Sequence, residues 1–371
     1  MPTVVLLVWS GLRRDGGSVL LGLGWCALFS LPPLITMEAD WFALAPRYLY
    51  TTAAGVALVW ATAAGHWLDT LTSITNARTT ASNRPGRTLL YRATAAVLLG
   101  VVMLAPAMQH VQEGVRLYRM AGQAIWDVVT AAERARPILV VNLPLRITPH
   151  RRRYPLGFEG ITPLPARVTA DGIVYTHTGR PDAAEALAFG LVAPAAPETY
   201  TYRLFGHPAG WEELADAAQM ARTVYVTRYE EERIYLVEAG GIAANASRST
   251  LTRFGEHVEL LAVDATCEAG RVALTTHWRV EAPLTADPTV FAHLLDAQDT
   301  LVAQADGYPL RGLLPFWLWE PGDAVRDVRD LGPASSGSYT IRLGVWEPST
   351  GQRWPIAGRE DDVVSVTVHC P

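Results

Sequence analysis

Tryptophans near the carboxyl terminus are the residues best suited to binding chemistry. Trp317, Trp319, Trp346 and Trp354 could present flat rings on which the apolar face of a sugar stacks. The alternative is that these rings form the core of a β-sandwich, where large aromatic side chains bury much surface. We take Trp317 and Trp319 as the candidate glycan contacts.

Two of the three cysteines suggest a covalent link. Cys26 lies in an uncharged segment and is assigned to packing, whereas Cys267 and Cys370 fall on an early strand and on the last strand of a predicted sandwich. Disulfides persist outside the cytoplasm. A disulfide between Cys267 and Cys370 is therefore predicted, and two free thiols are the alternative.

Other polar residues in this region give no metal site. Its histidines lack the short spacing of metal ligands, and its clustered aspartates could bind calcium but also suit turn capping. The chain has no nucleophile elbow, no glycine-rich nucleotide loop and no metal-binding helix motif. We predict no metal and no cofactor. The residues concerned are His257, His277, His293, His369, Asp296, Asp299 and Asp306.

The composition narrows the functional classes further. Half of the 371 residues are hydrophobic and only 18% are charged, so the chain is more apolar than an average protein and is not disordered. A net charge of −5 gives no basis for a nucleic-acid partner. The chain contains no lysine, which excludes Schiff-base chemistry and a Walker-type phosphate site.

The apolar excess is concentrated in three segments almost without charge. Residues 16–37, 48–68 and 93–112 each approach the roughly 20 residues that cross a hydrocarbon core about 30 Å thick. They predict three transmembrane helices in contact with the lipid bilayer. A cleaved signal peptide is an alternative for the first segment, and a helical hairpin buried in a soluble protein is an alternative to membrane-spanning helices.

Arginine placement predicts the orientation of these helices. Arg13 and Arg14 precede the first segment, and further arginines crowd residues 78–92 between the second and third. Positively charged loops stay in the cytoplasm. We therefore predict a multi-pass protein of the cell membrane whose carboxy-terminal region is extracytoplasmic.

Four regions follow from the hydrophobic periodicity. Residues 1–110 are assigned to the membrane, 111–136 to an amphipathic connector helix, 137–250 to a small α/β module and 251–371 to an antiparallel β-sandwich. The fold class is thus an α+β membrane protein. Within the module, residues 173–178 are predicted as a strand, and residues 183–189 and 211–220 as helices.

The order of short motifs along residues 255–369 resembles that of a carboxy-terminal β-sandwich domain found in a family of membrane proteins. It is similar to the β-sandwich at the carboxyl end of bacterial polytopic membrane proteins related to family 39 glycosyltransferases of the GT-C superfamily. Arg47-Tyr-Leu-Tyr50 is similar to a pattern near the last spans of such transferases. The tail motifs include Trp278-Arg279, Phe291-Ala-His-Leu-Leu-Asp296, Asp306-Gly-Tyr-Pro309, Trp319-Glu-Pro-Gly322 and Leu343-Gly-Val-Trp346.

The resemblance implies a transferase that takes sugar from a polyprenyl-phosphate donor at the outer leaflet, with a carboxylate of the first external loop as the catalytic base. Glu38 and Asp40 are the carboxylates in the predicted external loop, so they are the candidate catalytic residues. Arg47 is the candidate contact for the lipid-linked phosphate, because guanidinium pairs with phosphate bidentately. An interfacial anchor that reaches lipid headgroups is the alternative for Arg47.

Two functions remain open from the sequence. The first is an incomplete, membrane-anchored relative of polyprenyl-phosphate-sugar-dependent glycosyltransferases, with three retained spans and an accessory sandwich. The second is a complete, non-catalytic, membrane-tethered protein whose outer domains bind glycans or a protein partner. An acidic external loop encoded upstream of Met1 would favour the first.

Overall fold

The computed structural model describes residues 2–36, 50–78, 85–149, 160–164, 168–190, 200–230, 233–244 and 249–371. These residues form two compact units. The amino-terminal unit contains the described residues up to Val115, and the carboxy-terminal unit contains those from Arg116 onward.

The amino-terminal unit is helical. Helix α1 runs over Pro2–Thr36 with an irregular residue at Asp15, α2 over Tyr50–Arg78, and α3 begins in this unit and spans Pro85–Arg134. Helices α1 and α2 approach closely where Gly22 meets Gly55, since a Cβ built on Gly22 would lie 2.8 Å from the Gly55 carbonyl oxygen. Only glycine permits this backbone contact.

The prediction of three transmembrane helices is wrong. Across the described parts of α1, α2 and α3, no stretch combines the length and the apolar character that a membrane crossing requires. The predicted fold class, an α+β membrane protein, is corrected accordingly. The prediction counted missing charge, but crossing a bilayer depends on apolar side chains. The uncharged segments contain many glycine, alanine, serine and threonine residues, which add little apolar surface.

The carboxy-terminal unit starts with a parallel sheet. Its strands β1 (Ile138–Val141), β3 (Ala184–Ala188), β5 (His207–Pro208) and β6 (Thr223–Glu230) lie in the spatial order β5-β3-β1-β6. Helix α4 (Ala170–Thr178) links β1 to β3, and α5 (Trp211–Met220) links β5 to β6. The strand order reverses at β1, as in a doubly wound α/β sheet.

Alternate side chains of β1 divide the core of this sheet. Ile138 and Val140 pack with the end of α3 and with α4, whereas Leu139 and Val141 pack with α5 on the opposite face. Side chains of a strand point alternately to its two faces. A strand covered on both faces must be apolar throughout, which explains the unbroken run Ile138-Leu-Val-Val141.

The sequence assigned two elements of this region wrongly. Residues 170–178 form helix α4, not a strand, and residues 184–188 form strand β3, not a helix. Thr169 caps α4 by accepting a hydrogen bond from the Gly172 nitrogen at 2.9 Å, and Gly179 ends it in the left-handed conformation. The predicted helix at 211–220 is confirmed as α5.

An antiparallel extension makes the sheet nine-stranded. β7 (Arg233–Ala244) pairs with β6, and the next strands in spatial order are β13 (Asp323–Pro333), β10 (Arg271–Val280), β9 (Val258–Glu268) and β8 (Thr252–Phe254). The predicted boundary at residue 250 falls between β7 and β8 of this one sheet. β2 (Pro144–Pro149) and β4 (Tyr200–Leu204) form a separate two-stranded sheet. The other strands in the described part of the chain are β11 (Thr289–Leu295), β12 (Leu301–Gln304), β14 (Gly337–Glu347), β15 (Gln352–Arg353) and β16 (Val364–Cys370).

A second sheet completes the sandwich. It contains β12, β11, β14 and β15 in order, with β16 also paired to β14. Buried residues of both sheets, including Trp278, Val290 and Ile341, belong to one hydrophobic core that reaches α5. A disulfide between Cys267 on β9 and Cys370 on β16 joins the two sheets.

Candidate functional site

The structure does not describe the three candidate site residues of the predicted external loop. Glu38, Asp40 and Arg47 lie outside the described residues. Their assigned roles, two catalytic carboxylates and a lipid-phosphate contact, therefore stay predictions.

The two candidate glycan contacts have different environments. Trp317 is 45% exposed, whereas Trp319 is 5% exposed and belongs to the sandwich core. The Trp319 indole nitrogen donates a hydrogen bond to the Leu314 carbonyl oxygen at 3.2 Å, and its ring packs on Phe316 with centroids 4.7 Å apart. The prediction for Trp319 is corrected, because a buried ring offers no face to a glycan. Trp317 keeps an accessible ring.

Trp317 belongs to a group of four aromatic residues, which we call the aromatic cluster: Phe189, Trp211, Tyr308 and Trp317. Trp211 is central, with ring centroids 4.7 Å from Phe189, 6.2 Å from Tyr308 and 6.4 Å from Trp317. All three contacts are edge-to-face, the arrangement that the charge distribution of aromatic rings favours. The exposed indole of Trp317 therefore packs against the ring of Trp211, which is itself partly buried.

Each ring of the cluster comes from a different part of the chain. Phe189 directly follows β3, and its backbone nitrogen donates to Oδ1 of Asn142, at the end of β1, over 2.7 Å. Trp211 begins α5, and Trp317 lies in a short 3-10 turn, Phe316–Leu318. The cluster therefore forms because the α/β sheet and the sandwich share one hydrophobic core, which brings these elements together.

A polar pair adjoins the aromatic rings. The Tyr308 hydroxyl donates a hydrogen bond to Oδ2 of Asp287 at 2.6 Å. Burial of the phenol, the hydrogen bond to Asp287 and the negative charge of Asp287 together raise the pKa of Tyr308 to about 12. The hydroxyl therefore remains protonated and can donate to Asp287 at all ordinary pH values.

A buried ion pair supports the loop that carries Tyr308. Nε of Arg329 donates to Oδ2 of Asp327 at 2.6 Å, and both side chains are almost completely buried. The other guanidinium nitrogens donate to the carbonyl oxygens of Ala305 at 2.5 Å and Gly307 at 2.9 Å. Oδ1 of Asp327 accepts from the Leu310 nitrogen at 2.9 Å. One ion pair thus satisfies backbone groups on both sides of Tyr308.

A left-handed turn follows Tyr308. Leu310 and Arg311 have φ values of 54° and 58°, which non-glycine residues rarely adopt. The hydrogen bond from Leu310 to Asp327 and one from Nε of Arg311 to the Glu238 carbonyl oxygen, 3.0 Å long, stabilise it. Burial lowers the pKa of Arg311, although the nearby charges of Asp330 and Asp327 oppose the effect. The chain then continues to the 3-10 turn that carries Trp317.

A concave region lies at the edge of the parallel sheet. It is a pocket of about 490 Å³, bordered by β3, the start of α4 and the segment around Phe205. Its lining is mostly apolar, and His207 at its rim is paired with Glu213 at 2.7 Å. No side chain in this lining is arranged for a particular ligand or reaction.

The aspartates considered as calcium ligands make contacts within the protein. Oδ1 of Asp296 accepts hydrogen bonds from the backbone nitrogens of Gln298 and Thr300, both at 2.9 Å, which is turn capping. Asp306 contacts His293 at 3.3 Å, and Asp299 contacts Arg342 at 3.1 Å. Within the described parts of the chain, no three histidine, cysteine or acidic side chains converge as metal ligands would.

Glu259 is a buried carboxylate outside the cluster. Nε and Nη2 of Arg279 donate to its Oε2 at 2.8 and 2.6 Å, while Arg253 and Thr250 donate to Oε1 at 3.0 and 2.8 Å. Burial alone would raise the pKa of Glu259, but the hydrogen bonds from Arg279, Thr250 and Arg253, with the charge of Arg279, outweigh it. The pKa is lowered to about 2.

This lowered pKa predicts a pH-dependent loss of stability. A carboxylate with a depressed folded-state pKa stabilises the protein above its unfolded pKa, and the contribution disappears as the pH falls through the folded value. The shift of Glu259 from 4.5 to about 2 corresponds to about 3 kcal/mol of unfolding free energy. Glu259→Gln should therefore destabilise the protein by about this amount near neutrality, and by progressively less from pH 4.5 down to about 2.

Urea unfolding of both proteins across this pH range measures the effect. Glu281→Gln is the matched control, because Glu281 also contacts Arg253 but is partly exposed. An unfolding difference between Glu259→Gln and the natural protein that did not change with pH would contradict the assignment.

The sequence did not indicate three members of the site. Trp211 was assigned only as a residue of a helix, Tyr308 only as part of a motif, and Asp287 not at all. A tryptophan opening a helix directly after Gly210 was the available signal, but neither spacing nor residue type relates Trp211 to Trp317.

No protein-family model and no curated protein matches the sequence. Among solved structures, the carboxy-terminal domain of Wzt is 9% identical, with 35% of this chain and 82% of that one covered and a TM-score of 0.24. The CARDB domain of a Pyrococcus furiosus protein, solved with di-metal ions, is 10% identical over 33% and 97%, with a TM-score of 0.21. β-Glucosidase 3B from Thermotoga neapolitana, solved with glucose, is 10% identical over 66% and 39%, with a TM-score of 0.18. Similarity this low carries no argument about fold or function.

Proposed function

We propose that the carboxy-terminal unit is a non-catalytic glycan-binding module and that the aromatic cluster is its binding surface. The observation that carries the proposal is the half-exposed indole of Trp317, which packs edge-to-face against Trp211. Trp211 also packs against Tyr308, whose hydroxyl is bonded to Asp287. The class of ligand is a sugar ring with one apolar face and several hydroxyl groups.

The physical reason lies in the two kinds of surface that a sugar presents. Its C–H face gains free energy when it covers an aromatic ring, because apolar surface is removed from water. Its hydroxyl groups need acceptors and donors when they lose water. Trp317 supplies the ring, and Asp287, which is bonded to Tyr308 of the same cluster, supplies a carboxylate acceptor. The contact with Trp211 orders the Trp317 ring before a ligand arrives, which reduces the entropy cost of binding.

Two further points support this function over the alternatives. The order of sequence motifs along residues 255–369 resembles that of the accessory tail of family 39 glycosyltransferases, and an accessory domain on such an enzyme would contact glycans. The disulfide between Cys267 and Cys370 favours an extracytoplasmic location for this unit, because such bonds persist in oxidising compartments. Transfer chemistry itself depends on Glu38, Asp40 and Arg47 and stays a prediction.

Replacing Trp317 with alanine tests the proposal. The full chain should bind oligosaccharides in a glycan array, and the affinity for its best ligand should fall at least tenfold in Trp317→Ala, because the main stacking surface is lost. Titration calorimetry with that ligand gives the affinity. Trp126→Ala is the matched control, since Trp126 is a 57% exposed tryptophan elsewhere in the same unit.

The outcomes separate cleanly. Loss of binding in Trp317→Ala with unchanged binding in Trp126→Ala supports the cluster as the site. Equal affinity in both variants and the natural protein would place any glycan site elsewhere. If the protein bound no glycan on the array, the proposed function would be overturned.

A further inference from the structure

Strand β16 lies at an open edge of the second sheet. It pairs with β14 on one side, from Val364 to Cys370, and no other strand in the described part of the chain pairs with it. Its core-facing residues include Val368 and Cys370, both buried, and the disulfide from Cys370 to Cys267 links it to β9. The edge strand is therefore anchored to the core and, at one end, covalently to the opposite sheet.

The direction of the β14 backbone decides which groups of β16 are used. The Trp354 nitrogen donates to the Val345 carbonyl oxygen at 2.8 Å, so Val345 points to the side of β14 on which β15 and β16 lie. Backbone groups alternate in direction along an antiparallel strand, so Leu343 and every second residue before it point to β16. Their partners on β16 are Val364, Val366, Val368 and Cys370.

The intervening residues of β16 present backbone groups to the open edge. Ser365, Thr367 and His369 direct their N–H and C=O groups away from β14, and none of the described residues forms a backbone hydrogen bond with them on that side. Their side chains are exposed as well. Three donors and three acceptors thus line this edge, in the arrangement to which a further strand can add.

Other open edges of the two large sheets have features that discourage strand addition. β5 has two residues and ends in Pro208, and β8 has three residues and includes Arg253. The half of β9 that extends beyond β8 carries Asp264 and Glu268. Short length, proline and charge are devices by which proteins protect a sheet edge. β16 has seven residues without arginine, acidic residues, proline or glycine, so none of these devices protects it.

β16 is complementary to a second copy of itself. Two β16 strands that run antiparallel about Thr367 place Thr367 opposite its twin and Ser365 opposite His369. Because these are the residues whose backbone groups point outward, each donor on one strand meets an acceptor on the other. Val366 then lies opposite Val368. Paired threonines are favourable across strands, and no like charges oppose each other in this register.

We infer that two copies of this chain dimerise by antiparallel pairing of their β16 strands, so that the second sheet continues from one protomer into its partner. The symmetry of the match about Thr367 identifies the partner as a second copy, since a twofold axis makes the same patch serve on both sides. An interface of one strand pair is small, so the dimer is reversible and its proportion rises with concentration. The inference is independent of glycan binding.

Sedimentation velocity of the full chain tests the inference. We expect the average mass to rise from one chain toward two between about 1 and about 200 µM protein. Thr367→Pro should raise the dissociation constant at least tenfold, because it removes the central N–H of the edge. β14 does not use this N–H, and edge strands accept proline where the missing N–H faces outward, so the fold is retained.

Thr367→Arg is a second variant that keeps every backbone group. It places two like charges directly opposite each other across the twofold axis, which also weakens the dimer. High salt should restore part of the association, because it screens the repulsion. Ser338→Arg is the matched control: Ser338 is exposed and lies opposite His369 on β14, so the new charge is on the same face but one strand inward.

Oxidative cross-linking tests the register. Opposite residues of a bonded antiparallel pair have Cα atoms about 5.5 Å apart, which is within the range of a disulfide. Thr367→Cys should therefore form a linked dimer under mild oxidation, with the 367–367 bond located by mass spectrometry of its peptides. Ser365→Cys should not link to itself, because His369 of the other copy lies opposite.

Each outcome decides the inference. A dimer that is weakened in Thr367→Pro and Thr367→Arg but kept in Ser338→Arg, with urea unfolding unchanged, supports it. A chain that stays monomeric up to about 200 µM overturns it. A dimer that neither Thr367 variant weakens would lie at another surface and also overturns it. Linkage of Ser365→Cys as readily as Thr367→Cys would contradict the register.

Discussion

Arg329→Met is expected to lower the free energy of unfolding by about 3–5 kcal/mol, because it leaves the Asp327 carboxylate buried without its counter-ion. Both side chains are at most 4% exposed. The variant also leaves the carbonyl oxygens of Ala305, Gly307 and Tyr308 without the guanidinium. Urea unfolding followed by tryptophan fluorescence measures the loss.

A double variant separates the cost of leaving the Asp327 carboxylate without a counter-ion from the cost of the packing lost with Arg329. Asp327→Asn combined with Arg329→Met should cost less than the sum of the two single changes, because no uncompensated carboxylate remains. Arg342→Met is the surface control: Arg342 contacts the exposed Asp299 at 3.1 Å, and such pairs contribute about 0–1 kcal/mol. If Arg329→Met cost no more than Arg342→Met, the buried pair would not be the support of this loop.

The same substitution should weaken glycan binding. The backbone from Ala305 to Leu310 carries Tyr308, so relaxation of this loop would displace Tyr308 from Trp211 and Asp287. We expect affinity for the ligand of the aromatic cluster to fall in folded Arg329→Met, while Arg342→Met binds normally. Reduced affinity in Arg329→Met with its fold retained would identify Arg329 as a positioning residue.

Removing the disulfide is the second change with a large expected effect. Cys267 and Cys370 are separated by 103 positions, and closing a loop of about 100 residues restricts the unfolded chain by about 4–5 kcal/mol in the chain-entropy description. The double variant Cys267→Ala/Cys370→Ala should lose stability of this order. The natural protein treated with reductant and alkylated should lose a similar amount.

Mass analysis provides the control for the bond itself. Denatured protein alkylated without reductant should gain one label, on Cys26, and three labels after reduction. Three labels without reductant would show free thiols at both positions. A stability unaffected by reductant would contradict the structural role of the link between the sheets.

The local sequence pattern predicted the secondary structure of elements that bury one face and expose the other. Strand β10 alternates buried and less buried residues from Val272 to Val280, which is the period-two signal of a half-covered strand. Helix α5 was similarly indicated by its apolar spacing and acidic first turn. These elements were predictable because their burial repeats with their own period.

Tertiary contact overrode local preference in the parallel sheet. The segment Ala184-Glu-Ala-Leu-Ala188 has strong helix formers, yet it is a strand because it pairs with β1 on one side and β5 on the other. Residues 170–178 contain β-branched residues that favour strands, yet the Thr169 cap and the Gly179 terminus make them a helix. Neither outcome was visible without the neighbouring elements.

The membrane prediction failed for a different physical reason. Absence of charge was treated as apolarity, although glycine, alanine, serine and threonine provide little apolar side-chain surface. In α1 and α2, small residues such as Gly22 and Gly55 instead permit close helix packing. Composition therefore indicated helices, but it did not specify what surrounds them.

The sequence by itself determined the antiparallel strands of the carboxy-terminal half, the helix that begins at Trp211 and the residues able to form a disulfide, because these depend on short-range periodicity and residue type. Only the tertiary structure decided that Trp319 is buried and Trp317 exposed, and that Trp211 packs against both Trp317 and Tyr308. Residues separated by roughly a hundred positions meet because the parallel and antiparallel strands share a sheet and a core, and no local pattern encodes that pairing.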